Sequence, residues 1–152
     1  MQENKTGADN SAASLSKIDK ETAEKEFNTF CENNGIEYDM AAMNEDEADS
    51  FKDIKNRFVK ACMAGRVEVD GRSIKYTISN FSPDGFKGNV VTINRPAGQS
   101  FSAMDDFKDN QGQKRTMAFC SAMTGKDVKY FSKIDIIDYR FFSDAATLFL
   151  SL

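Results

Sequence analysis

The sequence predicts an α+β fold in which a small antiparallel β-sheet, made of a hairpin plus one strand, is packed with about four or five helices. Three observations lead to this prediction. Two β-rich runs flank an Asp-Gly pair, apolar residues recur at helical spacing on both sides of them, and 152 residues is the usual size of one domain. A chain of this length buries about 70% of its unfolded surface, so it can fold without a metal ion or a disulfide.

Charge divides the chain near residue 50. Residues 1–50 hold 4 Lys/Arg and 13 Asp/Glu, a net charge of −9, whereas residues 51–152 hold 16 and 11, a net charge of +5. The basic residues of the later part are scattered along the sequence. Proteins that bind nucleic acid normally cluster such residues, so no nucleic-acid partner is expected.

The expected domain organisation follows the same division. Residues 1–16 are small and polar, which predicts a disordered tail. Residues 17–64 form an acidic N-terminal helical region, and residues 65–152 form the α+β core domain, in one compact unit with residues 44–64. The N-terminus lacks the apolar core of a signal peptide, and no stretch approaches the ~20 apolar residues that a membrane span needs. The expected location is therefore cytoplasmic.

Several catalytic arrangements are excluded by composition. Histidine is absent, which removes Ser-His-Asp triads, Cys-His dyads and zinc sites that contain His. Neither a Walker A motif nor a GxGxxG motif occurs. Cys62 and Cys120 lie on apolar helix faces and are predicted to be inert core thiols, whereas Cys31 is expected to be more exposed. The chain is therefore predicted to be non-enzymatic, with no cofactor and no metal site.

Acidic residues occur in two arrangements that could carry chemistry. Asp105, Asp106 and Asp109 could hold a hard cation, although acidic loops are more often simply solvated. Asp135 and Asp138 share a helix face, and general acid–base catalysis needs such a pair in a cleft. Helix capping explains Asp135 more simply.

Two helices are predicted in the acidic region. The first covers residues 17–34 and ends at Gly35, and its high charge indicates that it docks loosely. The second begins at Asn44, which forms a capping-box signal with Glu47, and it ends at Gly65. Its apolar stripe, at spacings of three and four residues, consists of Phe51, Ile54, Phe58, Ala61 and Cys62.

The sheet prediction starts from the hairpin. Residues 66–69 and 73–79 alternate apolar and polar side chains around Asp70-Gly71, which suits a type I′ turn. Residues 89–94 supply the third strand, which ends where proline can no longer donate to the ladder.

Two features between the sheet and the later helices each allow two interpretations. Phe81 and Phe86 lie in a loop over residues 80–88, where they either fold back onto the core, the favoured interpretation, or contact a partner. In one interpretation Arg95-Pro96 makes a rigid corner, with Arg95 solvated or paired to a carboxylate. In the other, Arg95 lies on the surface and docks a partner.

The last part of the chain is predicted to be helical. A short helix capped by Ser100 and a second helix over residues 113–124 precede the final helix. Asp135 caps that final helix, which runs to about Leu150. Its apolar face is wider than the ~100° stripe of an ordinary amphipathic helix. Either the helix is nearly engulfed by the domain, or part of this face waits for another molecule.

Four short motifs follow one another in the second half of the chain. They are Arg95-Pro96, Ala103-Met104-Asp105, Met123-Thr124-Gly125 and residues 134–138. Their order and spacing resemble the tail assembly chaperones of contractile-tailed phages and prophages, over about residues 65–152. The acidic N-terminal third has no counterpart in that family pattern, and the loop at 81–88 is longer.

This resemblance implies a function and its partners. It implies a non-enzymatic tail assembly chaperone that binds the tape-measure protein and assists phage or prophage tail assembly in the host bacterial cytoplasm. The tail-tube protein would be a further partner. The alternative is a structural tail or baseplate component of a phage-like particle. Together with the broad apolar face of the final helix, the resemblance points to five protein-binding residues, which are Arg95, Phe141, Phe142, Leu148 and Phe149.

Overall fold

A three-stranded antiparallel sheet lies in the middle of the chain, between two groups of helices. A computed structural model of the protein describes residues 17–108 and 110–152, so the tail predicted at 1–16 lies outside the described residues. The strands are β1 (Val67–Asp70), β2 (Ser73–Thr77) and β3 (Val90–Ile93), in the order β1-β2-β3. The α+β prediction, with a hairpin plus one strand, is confirmed.

The hairpin turn differs from the predicted type. Asp70 pairs with Ser73, so the two central residues are Gly71 and Arg72 rather than Asp70 and Gly71. A type I′ turn needs positive φ at both central residues, but here only Gly71 has it, at 63°. Positive φ at the first central residue alone is the pattern of a type II′ turn, which glycine adopts without steric cost.

Two long helices pack on one another ahead of the sheet. They are α1 (Lys20–Asn34) and α2 (Glu45–Met63). The capping box that begins α2 is present, since Asn44 Oδ1 accepts from the Glu47 amide at 2.9 Å and Glu47 Oε1 accepts from the Asn44 amide at 3.1 Å. These bonds satisfy two amides at the helix start that have no partner within the helix.

The first helix docks tightly, so the prediction of loose docking is wrong. Its charged residues cover the outer faces, while one seam of Ala23, Phe27, Phe30 and Cys31 is fully buried. The Phe27 ring meets the Phe58 ring of α2 edge to face, with centroids 5.0 Å apart. A high proportion of charge therefore hid a short but complete packing seam.

Three further α-helices follow the sheet in the described part of the chain. They are α3 (Gly112–Thr124), α4 (Val128–Lys133) and α5 (Ile136–Leu150). Asp135 caps α5 as predicted, because its Oδ2 accepts from the Ile137 amide at 2.9 Å. The short helix before them is a 3₁₀-helix over Gly98–Met104, and Ser100 lies buried inside it instead of capping it.

The final helix crosses the centre of one hydrophobic core. Phe141 stacks on Tyr76 of β2, with centroids 4.3 Å apart, and Phe149 meets Phe30 of α1. Phe142 packs edge to face against Phe131 of α4. The same core cluster contains residues from the acidic helical region and from the later chain. Within the described residues, no helix combines the length and the apolarity that crossing a bilayer requires.

Candidate functional site

Four of the five predicted binding residues are part of the core. Phe141, Phe142, Leu148 and Phe149 are each at most 5% exposed. Rings from β2, α1 and α4 surround this part of α5, so the engulfed alternative is the correct one for the middle of the helix. The expectation that these four side chains form an outer contact surface is therefore corrected, although small exposed parts of Phe141 and Leu148 line two cavities.

Arg95 makes a contact within the chain. Its Nη1 donates to the main-chain carbonyl of Asn34 and, at 3.3 Å, to Asn34 Oδ1. Asn34 is the last residue of α1, where a cation complements the negative end of the helix dipole. The corner interpretation of Arg95 therefore has a specific partner, which is the end of a helix and not a carboxylate.

Asp138, which the sequence placed on one helix face with Asp135, is a buried carboxylate that joins α5 to the sheet. Asp138 is fully buried and accepts four hydrogen bonds. The donors are the Tyr76 hydroxyl at 2.7 Å, the Ser79 amide at 2.9 Å, the Ser79 hydroxyl at 2.8 Å and the Ser82 hydroxyl at 2.6 Å. Burial, followed by the hydrogen bond to Asp138, raises the pKa of Tyr76.

This Asp138 network is a structural tie. General acid–base catalysis needs a group that can reach a substrate, and here every donor is already committed inside the core. Ser82 also accepts from the Asp135 amide at 2.8 Å, so the loop over residues 80–88 is fastened to the start of α5. Asp138 therefore positions this loop and this helix relative to the sheet.

The two loop phenylalanines have different environments. Phe86 is partly buried and its ring meets that of Tyr130 at a centroid distance of 5.1 Å, as the core interpretation predicted. Phe81 is 74% exposed. It precedes Ser82, which is bonded to Asp135, and Ile136 follows Asp135 with 63% of its surface exposed. Two large apolar side chains therefore stand in solvent near the start of α5.

A groove opens between the end of α2 and the start of α5, and we call it the α2–α5 groove. Its volume is about 390 Å³, within the ~300–1,000 Å³ range of ligand pockets. Its apolar lining consists of Ala61, Tyr76, Ile136, Ile137 and Phe141. Its charged lining consists of Arg57, Lys60, Arg66 and Arg140, and none of its described lining residues is acidic.

One of these four cations is already paired. Arg57 donates to Asp144 from Nε at 2.7 Å and from Nη2 at 3.0 Å. This bidentate bond raises the pKa of Arg57. Burial raises the pKa of the Asp144 carboxyl, and the hydrogen bond from Arg57 opposes that change. Because Arg57 and Asp144 neutralise one another, the positive charge of the groove comes from Lys60, Arg66 and Arg140.

Arg66 lines the groove and keeps one of its donors buried beneath the wall. Its Nε–H is buried, and the described residues supply no hydrogen-bond acceptor for it. Buried donors in proteins are nearly always satisfied. Within the described residues, the Arg66 guanidinium acts on the Tyr76 hydroxyl, where it opposes the rise in the pKa of Tyr76. The groove thus combines an apolar lining with cations, which suits an occupant that is both acidic and apolar.

The cysteines carry no chemistry at this site. All three are buried, and burial raises the pKa of the Cys31, Cys62 and Cys120 thiols to about 12. The expectation that Cys31 is more exposed is wrong, because its side chain lies in the seam of α1 that faces the core. Thiols with raised pKa values are poor nucleophiles at neutral pH.

Metal binding has no built site in the described part of the chain. No three His, Cys, Asp or Glu residues there are grouped as metal ligands would be. Asp105 and Asp106 lie exposed after the 3₁₀-helix, and Asp109, the third member of the predicted acidic group, lies outside the described residues.

Comparisons with known proteins leave the residues as the only guide to function. No model of a known protein family, no curated protein and no solved structure matched this chain. Sequence reasoning missed the α2–α5 groove because its two walls are some 80 residues apart along the chain. A usable signal was the pair Ile136-Ile137, which immediately follows a helix cap and precedes the buried face.

Proposed function

We propose that this protein is a non-enzymatic binding protein, and specifically a tail assembly chaperone that binds the tape-measure protein and assists phage or prophage tail assembly. The observation that carries the proposal is the α2–α5 groove, whose apolar lining includes Ile136 and Ile137 and whose charged lining is entirely basic among the described residues. The order of short motifs over residues 65–152 supplies the specific family. Assembly of this kind takes place in the host bacterial cytoplasm, with the tail-tube protein as the second partner.

The groove has the chemistry of a peptide-binding surface. An amphipathic helix that docks in a groove inserts apolar side chains spaced three or four residues apart and keeps its polar face outward. Ile136, Ile137 and Phe141 offer the apolar contact, while Lys60 and Arg140 can pair with carboxylates beside the inserted side chains. A contact of this size is modest, which suits a partner that must later be released.

The proposal is tested by co-expression with a tape-measure protein from the same genome. Wild-type protein should give a soluble complex, and Ile136→Asp should reduce its yield at least about tenfold, because a carboxylate in the apolar lining is repelled by an acidic partner. Val90→Asp is the matched control, since Val90 is 58% exposed on β3 and outside the groove. Equal complex yield from the Ile136 variant and the wild type would remove the groove from the proposal.

The structural alternative is separated by the composition of finished particles. A chaperone should be absent from purified virions or prophage tails when their proteins are identified by mass spectrometry. A tail or baseplate component should be present there in fixed copy number, and that result would replace the proposal.

A further inference from the structure

An acidic surface lies at the opposite end of α2 from the groove. Residues 37–49, which we call the acidic segment, contain no Lys or Arg. All six of its carboxylates are exposed, and they belong to Glu37, Asp39, Glu45, Asp46, Glu47 and Asp49. Tyr38 and Met40 are exposed among them, at 36% and 38%. The segment is therefore acidic and apolar at once, the combination that the α2–α5 groove suits.

The two surfaces occupy opposite ends of one antiparallel helix pair. Arg57 and Asp144 join the middles of α2 and α5. Beyond this pair in one direction, Asp46 of α2 and Leu148 of α5 line a second cavity of about 480 Å³. In the other direction, Lys60 of α2 and Ile137 of α5 line the α2–α5 groove. The helix pair thus has an acidic end and a basic end.

We propose that the α2–α5 groove of one copy of this chain receives the acidic segment of a second copy. Carboxylates of the segment would pair with Lys60, Arg66 and Arg140, which line the groove. Tyr38 and Met40 would cover the apolar lining beside Ile136. Both halves of the interface are present in the described chain, with opposite charge and matching apolar content.

The segment cannot reach the groove of its own chain. Glu45 and Lys60 belong to the same continuous helix and are fifteen residues apart. At the helical rise of about 1.5 Å per residue, the two positions are about 22 Å apart. A contact between the acidic end and the basic end of α2 therefore joins two molecules.

The contact is head to tail, which has consequences for the assembly. Because each copy keeps one free groove and one free acidic segment, the copies extend into a ring or an open chain instead of stopping at a two-fold dimer. The proposal stands apart from the proposed chaperone function. If both are right, the second copy covers the groove until the partner protein competes for it.

The decisive experiment exchanges charge between the two surfaces. The groove variant carries Lys60→Glu and Arg140→Glu, and the segment variant carries Glu45→Lys and Asp49→Lys, which leaves the capping box intact. Each variant alone places like charges across the contact. Lys114→Glu with Lys129→Glu is the control, because both lysines are exposed outside the groove and give the same charge change as the groove variant. Association is measured by sedimentation velocity over a concentration series at about 50 mM salt.

The expected results are specific. Wild type and control associate, and each exchanged variant associates at least about tenfold more weakly. An equimolar mixture of the two variants regains association, because acidic grooves then meet basic segments. Raising the salt to about 500 mM weakens the wild-type association. A wild type that stays monomeric throughout the series, or a mixture that does not regain association, overturns the proposal.

If circular dichroism shows that a variant does not fold, cross-linking of the wild-type protein tests the same contact. A carbodiimide joins a lysine amine to a carboxylate as an amide, with loss of water and no spacer. The reaction is carried out on a mixture of ¹⁵N-labelled and unlabelled chains. A link from Lys60 of a labelled chain to Glu45 or Asp46 of an unlabelled chain, or the reverse, supports the contact. Absence of that mixed link overturns it. Monomeric protein that still binds the tape-measure protein through the groove would sink self-association and leave the chaperone proposal standing.

Discussion

The first turn of α5 and the middle of the same helix carry similar side chains in opposite surroundings. Ile136 and Ile137 are exposed, whereas Phe141 and Phe142, just over one turn later, are buried. Rings of β2 and α4 cover the middle, whereas the first turn borders the open groove with its cations. Hydropathy gives both parts the same tendency to be buried, and the neighbours within reach decide the outcome. One helix therefore supplies both the core and the candidate contact surface.

The largest effect is expected from shortening a side chain in the buried middle. Phe142→Ala should lower the free energy of unfolding by about 3–5 kcal/mol, because it removes a fully buried ring that contacts Tyr76 and Phe131. Urea denaturation followed by circular dichroism measures the loss. A loss under about 1 kcal/mol would mean that the middle of α5 is not the centre of the core, and the comparison would fail.

A smaller loss is expected from the polar tie that holds α5 in place. Asp138→Ala should lower the free energy of unfolding by about 3 kcal/mol, since it leaves four buried donors without their acceptor. Asp138→Asn keeps one acceptor oxygen and should cost less, because the serine hydroxyls can rotate to accept from the amide. Equal losses from the two variants, measured in urea, would show that hydrogen bonding to this position does not decide stability.

The ion pair between the acidic and basic ends should contribute less. Arg57→Ala should cost about 1 kcal/mol at neutral pH, a value reduced for solvent screening because the Arg57 side chain is 39% exposed. Burial raises the folded-state pKa of Asp144, so its carboxylate makes the folded state less stable as the pH rises above the ordinary carboxyl range. Loss of Arg57 enlarges that rise in pKa.

The pH dependence sharpens this third prediction. The difference in unfolding free energy between Arg57→Ala and wild type should shrink at acidic pH, where Asp144 becomes protonated in the variant. Urea denaturation at neutral and acidic pH measures both proteins. If this difference in unfolding free energy grows at acidic pH, the prediction is wrong. Asp144 would then not be the carboxylate that loses its partner in the Arg57→Ala variant.

The smallest effect on stability is expected in the exposed first turn. Ile136→Asp should change the free energy of unfolding by no more than about 0.5 kcal/mol, as exposed substitutions usually do. Ile136 is the first residue of α5, where an acidic side chain also interacts favourably with the helix dipole. A loss above about 2 kcal/mol in the same urea assay would place Ile136 in the core and remove the contrast within α5.

Local signals predicted most of the fold. The capping box at Asn44 and the cap at Asp135 each depend on residues within three positions of one another, and both formed as expected. The hairpin also lies where the sequence placed it, although the turn type was wrong because the Asp70–Ser73 pair shifted the loop by one residue. Such features depend on short stretches of backbone, so the sequence alone contains their physical cause.

The candidate site could not be predicted in the same way. Asp138 meets donors 56 to 62 residues away, and the groove joins residues of α2 to residues of α5. The sequence indicates a partner for part of the final helix because that helix has more apolar residues than an ordinary apolar stripe holds. The residues concerned are Phe141, Phe142, Leu148 and Phe149. Counting apolar residues did not show that β2, α1 and α4 approach this helix from different sides.

What the sequence determined by itself was the kind and position of most elements, the acidic run at residues 37–49 and the unusual apolarity of the final helix. What only the tertiary structure decided was which of those apolar residues remain in solvent and which charges meet them. The physical reason is that backbone caps and periodicity act over a few residues, whereas burial depends on surfaces that folding brings together from distant parts of the chain. That is why Ile136 is exposed and Phe142 is buried, although they are only six positions apart in one helix.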